Sequence, residues 1–260
     1  MPTSPLLQLP LRRSSLFACI AALSLNLIGC ADDGGDKKTD GEEESTDSPA
    51  TSDRGMGDGS DVITIGDSWM SLGTEGIQFS VEKASGRTYR KYGVGGTRLL
   101  DGVIPAQYEK AKSENADIKT VIMTGGGNDI LQDLSVHFQC IDSAFDNNDV
   151  CKNRIDEVAA RLVTLWAEMA EDGVQDVVIV GYTRKAGLLG PLAKTANYSA
   201  TKIPPLCAMV PKPLRCHVFD PDELVPTLAL RIDGIHPDSA SYDLIGKALW
   251  EQMQEWGVRR

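Results

Sequence analysis

Three short clusters of residues carry chemistry in this sequence. Gly66-Asp67-Ser68-Trp69 puts a hydroxyl in a glycine-led turn, Gly126-Gly127-Asn128-Asp129 offers a side-chain amide in a second turn, and Asp233-Gly-Ile-His236-Pro237 spaces a carboxylate three residues before an imidazole. Each has an ordinary structural reading when taken singly. Ser68 suits a helix N-cap, and Asn128 suits a turn or a cap. Together they supply the parts of an acyl-transfer site: a serine nucleophile, a histidine base whose ring a carboxylate can orient, and an amide to receive negative charge. Asp67 reads as a brace for its loop. His137 and His217, in mixed stretches beside Cys140 and Cys216, read as surface or packing residues, and Ser241 as a helix-start residue.

Positioning these groups requires strands that end where the clusters begin. Asp61-Val-Ile-Thr-Ile65 runs into Gly66, Thr120-Val-Ile-Met-Thr124 runs into Gly125, and Asp176-Val-Val-Ile-Val180 runs into Gly181. Such near-continuous apolar runs belong to strands covered on both faces of a parallel sheet. Thr88 to Tyr92 and Cys216 to Phe219 are weaker strand candidates. Ile155, Val158, Leu162, Leu165, Trp166 and Met169 recur at helical spacing within Asn153 to Asp172, and Leu244, Ile245, Leu249, Trp250 and Met253 do so within Ser241 to Trp256. The reading is α/β: one three-layer α/β/α domain around a mostly parallel sheet of about five strands. In such sheets ligands bind beyond the carboxyl ends of the strands, where the glycine-rich turns fall. The segment Lys185 to Arg215, rich in proline and apolar residues, suits a wall or lid over a pocket there.

The 260 residues are 42% hydrophobic and 24% charged, an ordinary globular composition, and the formal charge of −11 argues against nucleic acid as a partner. No apolar run reaches the roughly 18–20 residues of a membrane span. Arg12 and Arg13 followed by the apolar stretch Leu16 to Ile28 have the form of a secretory signal, and Leu27-Ile28-Gly29-Cys30 resembles a bacterial lipobox. Residues 1–29 are therefore expected to be a lipoprotein signal peptide. Cys30 would become the lipid-modified N-terminus, anchoring the protein to the bacterial cell envelope, periplasmic or surface-displayed. Residues 30–60, acidic and poor in large apolar side chains, read as a disordered tether reaching roughly 30 Å, and residues 61–260 as the folded domain. With Cys19 removed and Cys30 lipidated, Cys140, Cys151, Cys207 and Cys216 remain, an even number for an oxidising compartment. Three pairings are open; proximity favours Cys140 with Cys151 and Cys207 with Cys216. No C-x-x-C spacing suggests zinc instead, and no metal site is expected.

The order and context of the clusters resemble those of the SGNH hydrolase superfamily, the GDSL-type esterases and lipases, from Val62 to about Trp256. Gly66-Asp67-Ser68 matches the family's nucleophile block, Gly93-Val-Gly95-Gly96-Thr97 its glycine block, Gly126-Gly127-Asn128-Asp129 its asparagine block, and Asp233 to His236 its final block. Trp69 stands where the family name has leucine, a departure that touches pocket shape. The resemblance implies an SGNH, flavodoxin-like fold and a serine hydrolase acting on carboxylic esters of lipids, glycans or small molecules without a cofactor. Its triad would be Ser68, His236 and Asp233, and its oxyanion donors Ser68, Gly96 (or Gly95) and Asn128. An acyltransferase using the same triad and a non-catalytic ligand-binding lipoprotein are the alternatives.

Overall fold

The computed structural model describes residues 57–184, 191–224 and 229–258, all within the unit Pro49–Arg260. The expected signal peptide, Cys30 and nearly all of the tether lie outside the described residues, as does 185–190 of the expected wall or lid. The elements in chain order are β1 (Val62–Ile65), α1 (Ser68–Ser71), α2 (Ile77–Ser85), β2 (Arg90–Lys91), α3 (Val103–Glu114), β3 (Thr120–Met123) and α4 (Gly127–Leu131). There follow α5 (Leu134–Cys140), α6 (Asp142–Phe145), α7 (Val150–Glu171), β4 (Asp176–Val180), α8 (Ala193–Cys207), β5 (Arg215–Phe219), α9 (Pro221–Leu224) and α10 (Ser239–Glu255).

The five strands form one sheet in the order β2-β1-β3-β4-β5, and every neighbouring pair is parallel. The apolar runs of β1, β3 and β4 are buried throughout because both faces are covered. Alternation sorts their side chains. Ile63, Ile65, Val121, Met123, Val177 and Ile179 join α3 and α7 in one core. Val62, Ile122, Val178 and Val180 point the other way, against α1, α2 and α10. This is the three-layer arrangement expected, with all strands parallel. The weak second strand shrinks to Arg90–Lys91, an edge position with little apolar content to bury.

Helix α7 begins three residues before the apolar periodicity predicts, and its inward stripe runs from Ile155 to Met169 with Leu165, Trp166 and Met169 wholly buried. Each fully buried side chain of this size contributes roughly 1.5–3 kcal/mol. The Asp238 carboxylate caps α10 by accepting from the Ser241 N–H at 2.8 Å. The segment expected to form a wall or lid contains α8, helical despite Pro204 and Pro205 near its end. Disulfides join Cys140 to Cys151 and Cys207 to Cys216, the pairings that proximity favours. The first links the end of α5 to the start of α7, and the second links the end of α8 to edge strand β5.

Candidate active site

β1, β3 and β4 all deliver their carboxyl ends to one edge of the sheet, and the candidate residues gather there. After Ile65 the chain turns at Gly66, whose φ is +138° and on which a Cβ would lie 2.2 Å from Thr124 Oγ1. Only glycine fits a turn with that backbone angle and that close a neighbour. The turn is clamped from below by Gln107 of α3. Its Oε1 accepts from Gly66 N–H at 2.6 Å, while its Nε2 donates to Gly66 O at 3.0 Å and to Thr97 Oγ1 at 3.2 Å. Asp67 is the N-cap of α1: its carboxylate accepts from Trp69 N–H at 3.0 Å, from Thr124 Oγ1 at 3.0 Å and from the Tyr182 hydroxyl. Burial raises the Asp67 pKa in spite of these donors. Asp67 is thus a brace, and Ser68, the first residue of α1, is left facing the sheet edge.

His236 connects the other two triad candidates. Its Nε2 lies 2.7 Å from Ser68 Oγ and its Nδ1 lies 2.8 Å from an Asp233 carboxylate oxygen. The second Asp233 oxygen accepts from Ile235 N–H and His236 N–H, each at 2.9 Å, so one carboxylate folds the turn and orients the ring. Partial burial opposes the Asp233 charge, but these bonds and the nearby imidazole outweigh it and hold the carboxyl at about 2. Arg231 fixes the loop from behind, donating to Pro237 O at 3.0 Å and pairing with Glu75.

The glycine and asparagine turns meet beside Ser68. The Gly95 α-carbon approaches it closely, since a Cβ there would sit 3.7 Å from that of Ser68. Gly96 has φ +79° and its carbonyl accepts from Gln132 Nε2 at 2.8 Å. Asn128 donates through Nδ2 to Thr97 O at 3.0 Å, which holds the amide against the glycine turn and leaves its second N–H available. Asp129 ties the same turns together, accepting from Leu99 and Leu100 N–H at 2.9 Å.

The remaining histidines lie elsewhere. His217 bonds to buried Asp176 at 3.0 Å and stacks on Trp256, and His137 is buried in α5 against Phe138. Among the described residues no cluster of His, Cys, Asp and Glu is arranged to hold a metal ion. Ser68, Asn128 and His236 open onto a cavity of about 700 Å³ bounded by α7, α8 and the ends of β4 and β5. Trp69, the departure from leucine, lines it, packed edge-on against Tyr182 at 5.3 Å between ring centres.

Gln107, Thr124, Tyr182 and Arg231 support the site, and the motif reading did not single them out. Gln107 leaves a trace in the sequence as a polar residue on the otherwise apolar stripe Ile104, Tyr108 and Ala111. Tyr182 leaves none, because its partner Asp67 is 115 positions away.

Comparison of the whole fold with solved structures places this arrangement. A lipase from a goat rumen metagenome matches with a TM-score of 0.55 at 16% identity, over 76% of this chain and 98% of that one. The chain has the SGNH hydrolase fold. A member of the lipolytic G-D-S-L family from Veillonella parvula matches at a TM-score of 0.51 and 18% identity, over 72% of this chain and 95% of the other. A carbohydrate acetylesterase family member from Sinorhizobium meliloti matches at 0.51 and 17%, over 75% and 97%. No model of a protein family matches the sequence. No curated protein matches it either.

Proposed function

We propose that the protein is a serine esterase of the SGNH type, with Ser68 as nucleophile, His236 as general base and acid, and Asp233 as the group that orients the imidazole. The observation that carries this reading is the continuous chain from Ser68 Oγ through His236 to Asp233, at 2.7 and 2.8 Å, opening onto the cavity. Ser68 Oγ attacks the ester carbonyl carbon while its proton passes to His236 Nε2. The carbonyl oxygen becomes an oxyanion, for which the Ser68 N–H, the N–H of Gly96 or Gly95, and the free N–H of Asn128 are the donors. Collapse expels the alcohol, which takes the proton from His236, and leaves an acyl-serine. Water then attacks the acyl carbon while giving a proton to the same nitrogen, and collapse of this second tetrahedral intermediate breaks the bond to Ser68 Oγ, which takes that proton back as the acid leaves. Asp233, ionised down to about pH 2, stabilises the imidazolium in both halves. No step calls for a metal ion or an organic cofactor.

Names of the structural neighbours include esterases and lipases, which agrees with this chemistry. Hydrolysis of p-nitrophenyl esters tests it: Ser68→Ala and His236→Ala are each expected to lower kcat at least thousandfold. Activity surviving in Ser68→Ala removes Ser68 as the nucleophile.

We infer further that the enzyme works outside the cytoplasm. The two disulfides support this, since they fit an oxidising compartment. Lipidation at Cys30, after removal of residues 1–29, would hold the domain to the cell envelope through the acidic tether 30–60. Palmitate labelling that is lost in Cys30→Ala supports this anchor, and labelling that persists refutes it.

A further inference from the structure

The cavity beside Ser68 is mostly apolar. Its polar lining includes Ser68, Asn128, His236 and Arg184, which is bonded to Asp220 and Asp222. The walls that the helices contribute are largely hydrocarbon, with Ile155, Val158 and Leu162 from α7 and Ala196, Ala200 and Ile203 from α8, and Ser199 beside them. The hydroxyl of Thr195 is engaged by Cys140 O at 2.6 Å and is not offered to a ligand. A polyhydroxylated sugar would lose its water against these walls for few partners, Ser199 among them. A two-carbon acyl group would leave most of the 700 Å³ unfilled, since cavities of this size bury ligands as large as drugs.

We propose that this cavity is the acyl site and that it selects medium- to long-chain fatty acyl esters over acetyl esters. The inference rests on the serine esterase reading and adds the substrate class. The acyl part is assigned to the cavity because water must replace the alcohol before the acyl-serine can be hydrolysed. A cavity with mostly apolar walls is a poor route for that water, whereas Val94, Gly95 and Gly96, which do not line it, are exposed. The alcohol therefore leaves past the glycine turn and the fatty chain stays against the apolar walls. Ala196 and Ala200 determine specificity. One turn apart on α8, they keep open the space that larger side chains would close. Both disulfides support this wall: Cys207–Cys216 fastens the end of α8 to β5, and Thr195 rests on the Cys140–Cys151 pair.

The test is kcat/KM of the full-length protein on p-nitrophenyl acetate, butyrate, octanoate and decanoate, with Ser68→Ala as control. Burial gains up to about fourfold per methylene, so octanoate is expected to exceed acetate by at least tenfold. In Ala200→Trp, and independently in Ala196→Phe, the octanoate-to-acetate ratio is expected to fall at least tenfold, with folding checked by thermal unfolding. Ser68-dependent hydrolysis that favours acetate overturns the acyl-site proposal and leaves the esterase reading intact. So does a ratio unchanged in both folded variants, or a preference for octyl acetate over ethyl octanoate, which would put the alcohol in the cavity. Absence of Ser68-dependent hydrolysis of every ester overturns the esterase reading and this proposal with it.

Discussion

Replacing Gln107 by alanine should damage the site without touching any residue assigned to the chemistry. The Gln107 amide is buried and makes three bonds, two to the backbone of Gly66 and one to Thr97, joining the nucleophile turn to the glycine turn. Gly66 O keeps other partners, Val94 N–H at 3.0 Å and Thr97 Oγ1 at 3.0 Å, but the Gly66 N–H loses the acceptor that lies 2.6 Å away. A buried donor left unsatisfied costs about 1–3 kcal/mol. For a domain of this size that lowers Tm by roughly 3–10 °C. Relaxation of the turn also moves Ser68 relative to His236, and a misplacement of about 1 Å can cost a hundredfold in rate. Gln107→Ala should therefore lower kcat at least tenfold on any ester the parent hydrolyses, with a smaller change in KM. Gln107→Glu keeps an acceptor for Gly66 N–H but turns a buried carboxylate toward Gly66 O. Its deficit in Tm should be greatest at neutral pH and shrink as acid protonates the carboxyl and restores a donor. The assay is thermal unfolding and steady-state kinetics of both variants from pH 5 to pH 8. A Tm and kcat equal to the parent's in Gln107→Ala would refute the clamp.

Three other outcomes follow from the same geometry. Asn128→Ala should lower kcat by about 10²–10³ with little change in KM, the loss typical of one oxyanion donor, and a change confined to KM would move Asn128 out of the oxyanion site. The Asp233 carboxyl is held at about 2, below its ordinary value, so its contribution to stability is present above about pH 4 and lost as pH falls toward 2. Tm measured against pH should accordingly show a gap between the parent and Asp233→Asn that closes on that acid side; a gap that widens there contradicts the assignment. The Cys207–Cys216 bridge closes a short loop, with a sequence separation of 9, so Cys207→Ser with Cys216→Ser should cost about 2.5–3 kcal/mol, read as a lowered denaturant midpoint.

The parts of this fold that were legible in the sequence are those with strong local patterns. β1, β3 and β4 are near-continuous apolar runs followed by glycine-led turns, and α7 and α10 carry apolar residues at helical spacing, so a mostly parallel sheet with helical covering layers was legible and the order of its strands was not. The candidate triad was legible for a different reason: three short clusters, each ordinary by itself, fall in one order at the ends of strands or just ahead of a helix. The same was not true of the supports. α3 hides because Gln107 interrupts its apolar face, and α8 hides because Pro204 and Pro205 read as a connection although they fall near the end of a helix. The bonds from Tyr182 to Asp67 and from Arg231 to Glu75 join residues 115 and 156 positions apart, and no local pattern encodes such pairs.

The central claim is that Ser68 carries the acyl group. It is tested most directly by mixing the full-length protein with p-nitrophenyl octanoate, quenching in acid, and mapping any added mass by peptide mass spectrometry. The account predicts an octanoyl adduct on the peptide containing Ser68, accompanied by a burst of p-nitrophenol, with both absent in Ser68→Ala. Turnover of the ester without an adduct at Ser68, or an adduct on another residue that persists in Ser68→Ala, would contradict it.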